Sequence, residues 1–304
     1  MFRPSFAVFL LIGAGVATVQ PIRGQAEAPT PKWEVVSVKP CVARGGVSDT
    51  QGPGRIALPC APVEVFIHQS YLLFPNGKLD LAGAKTRVEK GPAWMYSDLY
   101  AIEAKAEIVP GQPAPGQGTM QGPMLRALLA DRFKLQVHRE TRLVPVYALT
   151  VGKDGPKLQM TSEGSCVGQN MDQPLIPLAP GQTRIPFCGL PVGTGLDFRG
   201  VTMTELCSWL SLRADRKVVD RTAIAGMFDI RLDLAAAGLA APPPPPPPGG
   251  PPPLRGDSPM ATPDPGEVTA QIQSALQKFG LRLEPTQGPD DALIVDHVER
   301  PSEN

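Results

Sequence analysis

The chain has 304 residues, with 29 Lys and Arg against 29 Asp and Glu, and therefore no formal net charge at pH 7. This balance argues against an extended nucleic-acid-binding surface and against a broadly cationic membrane binder. Hydrophobic residues make up 42% of the chain and aromatic residues only 6%, which predicts a globular protein long enough for one large core or two domains.

The first 26 residues have the pattern of a secretory signal peptide. Arg3 precedes an apolar run at residues 6–19, and Gly24 and Ala26 supply the small residues of a cleavage site after Ala26. The run is shorter than the roughly 20 residues that span a bilayer, so a retained anchor is the weaker interpretation. We expect an exported protein, periplasmic or extracellular, with no membrane span after cleavage.

Export changes the interpretation of the five cysteines. They form no CxxC pair and no cluster with histidine, so a structural zinc site is not expected, and disulfides are the default in an oxidising compartment. Cys41 and Cys60 flank a Gly-rich loop, and Cys166 and Cys188 flank a polar, Pro-rich loop. We therefore predict the disulfides Cys41–Cys60 and Cys166–Cys188, and a free, buried Cys207.

The predicted elements follow one order in both halves of the chain. In each half the pattern predicts a strand, a helix, two strands, a helix and a hairpin. The hairpins are predicted from residues 133–139 with 146–151 and from residues 281–283 with 293–295. The predicted fold class is α+β, with two related units from an internal duplication, mainly antiparallel sheets and helices packed on one face. The predicted division comprises a signal peptide at 1–26, a first unit at 27–160, a disulfide loop or linker at 161–195 and a second unit at 196–300 with a Pro-rich insert at 241–265.

Two local signals refine this order. Thr202 is expected to cap a helix, with Glu205 three residues later in the capping-box position. Residues 242–248 are seven consecutive prolines, which favour polyproline II. We interpret that run as an exposed spacer rather than a ligand for an aromatic groove, and the nearby Arg-Gly-Asp at 255–257 as a chance occurrence.

The three histidines are the first candidates for catalysis. His68 falls in a predicted helix, where a partly buried core position is the favoured interpretation. His138 and Glu140 lie two residues apart on a predicted strand, so they share a face, and a polar ion pair explains them as well as acid–base chemistry. His297 also has a carboxylate two residues later, that of Glu299. We interpret His297 as part of the solvated edge of the last strand.

Other catalytic signatures are missing from the sequence. It contains no GxSxG elbow, HExxH, P-loop or GxGxxG before a helix, and no cofactor or metal is expected. The Asp131-Arg132 and Asp220-Arg221 pairs fall at the ends of predicted elements. There an Asp bond to the backbone and an Arg ion pair would hold a turn, so we interpret both pairs as structural.

Several segments together resemble a large family of exported soil-bacterial proteins of unknown function, of acidobacterial type. The resemblance covers nearly the whole chain after the signal peptide. The segments that carry it are residues 33–40, 91–94, 124–135, 138–141, 145–149, 155–158, 218–222, 226–230 and 296–304. In that family the domain can be fused to membrane-bound, antibiotic-sensor-like metallopeptidase regions, which implies sensing or binding outside the membrane. The resemblance supplies no catalytic residues, and this chain lacks the HExxH motif of those regions.

These observations favour an exported, non-enzymatic binding or interaction module for an unknown protein or envelope ligand, with a cleft between the two units or an edge strand as its binding surface. The alternative is an exported hydrolase whose site is assembled from dispersed residues such as His138, Asp131 and Glu140. A structural envelope protein is a third possibility. The sequence leaves the ligand and the oligomeric state open.

Overall fold

The computed structural model describes residues 31–42, 52–173, 182, 184–192, 196–232 and 265–301. The predicted signal peptide and residues 241–264 of the predicted Pro-rich insert lie outside these ranges. No helix in the described ranges has both the length and the apolar character that crossing a membrane requires.

Strands and helices alternate along the chain. The strands are β1 (Trp33–Pro40), β2 (Arg55–Pro62), β3 (Arg87–Glu89), β4 (Leu99–Ala106), β5 (Gln136–Val151), β6 (Gln159–Met160), β7 (Leu196–Val201), β8 (Val218–Asp220), β9 (Phe228–Leu232) and β10 (Leu281–His297). The helices are α1 (Val63–His68), α2 (Trp94–Ser97), α3 (Gln117–Thr119), α4 (Leu125–Arg132), α5 (Met203–Arg213) and α6 (Pro265–Gln277). Single π-helical turns follow α1 at Gln69–Leu73 and join α3 to α4 at Met120–Met124, and a short 3-10 turn lies at Leu81–Gly83.

The strands form three sheets of mainly antiparallel pairing, so the predicted α+β class is confirmed. The central sheet has the order β3-β10-β5-β8, and the two flanking sheets have the orders β1-β4-β2 and β6-β9-β7. In the central sheet β5 and β10 are antiparallel, whereas the short outer strands β3 and β8 run parallel to their neighbours.

The two long strands correct the predicted hairpins. β5 is one continuous strand of 16 residues and β10 one of 17 residues, and they pair with each other from Leu281↔Val151 to His297↔Gln136. The sequence suggested turns at the Pro and Gly residues between the apolar ends of each strand. The middle stays extended, and Gly288 there lies opposite Val144, at a position where a side chain would crowd Val146.

Helix α5 confirms the predicted capping box. The Thr202 hydroxyl accepts a hydrogen bond from the backbone N–H of Glu205, and the Glu205 carboxylate accepts one from the backbone N–H of Thr202. Two of the N–H groups that a helix start leaves unpaired are satisfied in this way, which is typically worth about 1 kcal/mol.

The hydrophobic interior consists of two clusters, and each includes side chains from a long strand of the other half of the chain. The first contains the side chains of α1 and α4 together with Leu293 and Val295 from β10, at the far end of the chain. The second contains those of α5 and α6 together with Leu149 from β5. The sheet pairing is reciprocal as well, since β3 pairs with β10 and β8 pairs with β5. Each cluster is therefore completed by a strand from the other half.

The strand exchange links the two predicted units of the chain. The order β2-α1-β3-β4-α4-β5 matches β7-α5-β8-β9-α6-β10, but β1, α2, α3 and β6 have no counterpart. Val88 pairs with Leu293 and Val218 pairs with Tyr147. An internal duplication stays a prediction of the sequence. Residues 31–304 form one compact unit, within which β3·β10 and β5·β8 cross between the predicted units at 27–160 and 196–300.

The cysteines lie in the predicted pairs. Cys41 bonds to Cys60 and Cys166 to Cys188, with S–S distances of 1.99 and 2.07 Å, and Cys207 is free and buried. The second disulfide packs against a bulge in β7 at Gly200, whose φ of +63° is in the left-handed region. A Cβ atom at Gly200 would lie 2.5 Å from the Cys166 sulfur, so only glycine lets the disulfide approach the strand so closely.

Replacing both Cys166 and Cys188 by Ser is expected to lower the free energy of unfolding by about 3 kcal/mol, because the open loop gains conformational freedom in the unfolded chain. Urea denaturation without reductant measures the loss. The Cys41→Ser/Cys60→Ser variant provides a comparison. It opens a loop of 19 residues instead of 22, so its free energy of unfolding should fall by a similar amount. Unchanged unfolding of the first variant would contradict the prediction.

Candidate functional site

No hydrogen bond or ion pair joins His138, Asp131 and Glu140, the three residues of the hydrolase alternative. His138 Nδ1 lies 2.9 Å from the carboxylate of Asp296, and both side chains are about half exposed. Glu140 instead accepts a hydrogen bond of 2.9 Å from Arg142, which also donates to Glu89, and the Arg142 hydrogen bond lowers the pKa of Glu140. These contacts form a polar network across the strands β3, β5 and β10.

The remaining sequence candidates have local roles. Asp131 pairs with its neighbour Arg132 at 3.4 Å. Asp220 accepts hydrogen bonds from the backbone and hydroxyl of Thr222, which is the predicted Asp-to-backbone bond at a strand end. His297 contacts Glu299 at 2.8 Å on an exposed surface.

Burial shifts the pKa of both buried candidates, in opposite directions. His68 is partly buried, as predicted, and burial lowers its pKa. Burial raises the pKa of the Cys207 thiol. The thiol is therefore protonated at neutral pH and unsuited to nucleophilic attack. Within the described ranges, no group of three or more His, Cys, Asp or Glu side chains is arranged to hold a metal ion.

The largest of the clefts that we describe lies over the sheet β6-β9-β7, and we call it the sheet cleft. Side chains alternate across these strands: Phe228 and Ile230 of β9 point into the second core, whereas Asp229 and Arg231 line the cleft. Its volume of about 970 Å³ is at the upper end of the range of ligand sites.

Two ion pairs cross the floor of the sheet cleft. Arg199 donates to Asp229 at 2.6 Å, and Arg231 lies 3.1 Å from Asp197. The two pairs have the opposite orientation, because the acid lies on β9 in the first and on β7 in the second.

Asp229 is the most enclosed charge of the floor, with a side chain only 14% exposed. Its carboxylate also accepts hydrogen bonds from the Thr161 hydroxyl at 2.8 Å and from the Gly200 backbone N–H at 3.2 Å. Burial alone would raise the pKa of Asp229, but these hydrogen bonds and the Arg199 pair lower it overall. Asp229 is therefore ionised at neutral pH and held in place by three donors.

The walls of the sheet cleft come from segments distant in sequence. Ser165, Arg184, Pro186 and Val192 belong to the segment around the Cys166–Cys188 disulfide. The other side holds Lys157, whose backbone N–H donates to the carbonyl of Phe279, and Phe279 itself, which follows helix α6. Described residues near the disulfide and at the α6–β10 junction thus border a polar sheet face.

A second cleft, of about 680 Å³, lies beside Trp209 at the start of helix α5. Two of its lining side chains are already bonded: Trp209 donates to the Gly189 carbonyl at 2.9 Å, and Asp172 accepts from Thr119 at 2.8 Å. The lining also includes further polar groups such as Lys78, but this cleft is smaller than the sheet cleft.

No motif in the sequence marks the sheet cleft. The available signal was the alternation of charge with apolar residues in Asp197-Phe198-Arg199 and in residues 228–232, where acid and base are spaced two apart on each strand. That pattern identified the strands, but not that residues near the disulfide would border their charged faces.

The fold and the cleft define an α+β protein with two strand-exchanged cores and an open, charged cleft over one sheet. The chain belongs to the DUF3738 family, described as proteins of unknown function, whose profile matches residues 80–298. This match confirms the resemblance to a family of unknown function and includes every residue of the sheet cleft named above. No curated protein and no solved structure matches the chain significantly.

Proposed function

We propose that this chain is an exported, non-enzymatic binding module that takes its ligand into the sheet cleft, in keeping with a sensing role in the envelope. The observation that carries the proposal is an open cleft of about 970 Å³ over a charged sheet face, with walls that combine polar and apolar side chains. Concave sites with a few oriented polar groups are typical of ligand binding.

Export is supported by the two disulfides, which are compatible with an oxidising compartment. One of them is attached to the proposed site, because Ser165 and Pro186 of the cleft wall flank the bonded cysteines in sequence. An oxidising environment would thus also hold the cleft wall in position.

The hydrolase alternative has one supporting contact, the His138–Asp296 pair, since a carboxylate beside a histidine can orient it for proton transfer. Neither residue lines the sheet cleft or the Trp209 cleft. The exposed setting is that of a surface ion pair, so the binding module is the proposal we favour.

Filling the sheet cleft should abolish ligand binding. Gln159 lines the cleft, so Gln159→Trp places a large side chain over its floor, whereas its neighbour Met160 is 70% exposed and is not among the lining residues. A panel of amino acids, short peptides, sugars and nucleotides is tested on the full chain by thermal shift and by amide chemical shifts.

We expect at least one member to shift amide signals of β7 and β9, to lose binding in Gln159→Trp and to keep it in the matched control Met160→Trp. Binding that survives Gln159→Trp unchanged, or a panel that leaves the cleft signals in place, would refute the proposal.

A further inference from the structure

We infer that the ligand of the sheet cleft is an organic anion bearing carboxylate groups, an inference that rests on the proposed function. Four basic side chains line the cleft against two acidic ones. The whole chain has 29 basic and 29 acidic residues. Basic side chains therefore outnumber acidic ones in the lining through their placement and not through overall composition, and concave walls concentrate the field of such charges.

The two floor arginines differ in how firmly they are held. Arg199 pairs with Asp229, which three donors hold in place in a mostly buried position. Arg231 pairs with Asp197, and its own side chain is 81% exposed. An ion pair so exposed to solvent contributes little, so Arg231 can exchange the Asp197 carboxylate for that of a ligand at small cost.

Lys157 adds a second available cation. Among the described residues its ammonium group has no hydrogen-bond or ion-pair partner, and it lines the same cleft as Arg231. Arg231 already holds a carboxylate in its ion pair with Asp197, and a planar guanidinium is suited to binding that group through two parallel hydrogen bonds.

The walls favour an organic ligand over a bare inorganic ion. Val192, Pro186 and Phe279 contribute apolar surface, and Val192 is 47% exposed in the open cleft. Covering such surface stabilises a ligand with a carbon skeleton but not a small hydrated anion. Small polycarboxylates and acidic peptides share this chemistry.

Isothermal titration of the full chain with four probes tests the inference. The probes are tricarballylate, its uncharged triamide, hexaglutamate and hexaglutamine. We expect one or both carboxylate probes to bind, more weakly as salt rises, and each amide counterpart to bind at least about tenfold more weakly, the equivalent of one charge-assisted hydrogen bond. The carboxylate probe that binds identifies the source, small molecule or peptide.

Arg231→Gln should weaken binding of the carboxylate probe about tenfold. The matched control is Arg282→Gln, which removes an arginine paired with Glu284 that is not among the cleft-lining residues and should leave affinity unchanged. If the amide probes bind as tightly as the acids, and Gln159→Trp abolishes both, the anion inference is wrong and the binding module stands. If no carboxylate probe binds, the inference also fails, and the wider ligand panel then decides on the module separately.

Discussion

Residues 31–173 produced without the rest of the chain will not fold. In the whole protein the first core is completed by Leu293 and Val295, and β3 has β10 as its partner in the central sheet. The fragment also leaves Leu149 without the second core that buries it completely. It therefore loses apolar burial at two places while retaining nearly the whole entropic cost of ordering its backbone.

Contacts beyond the core act in the same direction. The Glu299 backbone N–H donates to the Phe133 carbonyl at 2.7 Å, and Arg300 binds Asp98 at 2.9 Å while its guanidinium lies over the Trp94 ring. The last described residues thus belong structurally to the first half of the chain. Far-ultraviolet circular dichroism and urea titration of the fragment should show no cooperative transition.

Co-expression is the control for this experiment. A second fragment of residues 182–301 carries Cys188 and β10, so the two fragments together should fold and become joined by the Cys166–Cys188 disulfide. A non-reducing gel detects the joined pair. A cooperative unfolding transition from residues 31–173 alone would show that the first half is independent of β10, against the strand exchange described above.

Phe133→Ala is expected to lower the free energy of unfolding by about 3–5 kcal/mol. Phe133 is fully buried, and its ring meets the Tyr100 ring edge-on, with centroids 5.5 Å apart. The substitution leaves a cavity between α4, β4 and the end of β10, which the surrounding backbone cannot close without breaking strand pairing. Chemical denaturation monitored by tryptophan fluorescence measures the change.

Phe279 provides a matched control for Phe133. The two residues precede β5 and β10 at corresponding positions, but Phe279 is only partly buried against the second core and lines the sheet cleft. Phe279→Ala should therefore cost clearly less stability than Phe133→Ala. Equal losses would mean that the two positions are packed alike, contrary to the structure.

The sequence predicted those features that depend on neighbouring residues. The capping box needs only Thr202 and Glu205, and the strand Phe228–Leu232 is visible in its own alternation. The cysteine pairs could be proposed because each closes a loop of about 20 residues, a separation at which chain proximity favours pairing. In each case the interaction lies within a short stretch of chain.

The predicted hairpins were wrong for the opposite reason. An apolar stretch such as residues 293–295 identifies a strand but not its partner, and a Pro- or Gly-containing segment such as 285–291 is compatible with either a turn or an extended edge. The partner was chosen by packing, because Leu293 is buried only when it reaches the first core. The sheet cleft could not be predicted for the same reason, because Arg231 and Lys157 line one cleft only in the folded chain.

The sequence by itself determined the mixture of helices and strands, the helix cap and the pairing of nearby cysteines, because these follow from short-range sterics and hydrogen bonds. Only the tertiary structure decided that β5 and β10 are single long strands that pair with each other and complete each other's cores, and that residues near the disulfide border a charged sheet face. Those outcomes depend on contacts such as Val88 with Leu293, more than half the chain apart. The free energy of such a contact comes from burial in the assembled core, which no local stretch of sequence specifies.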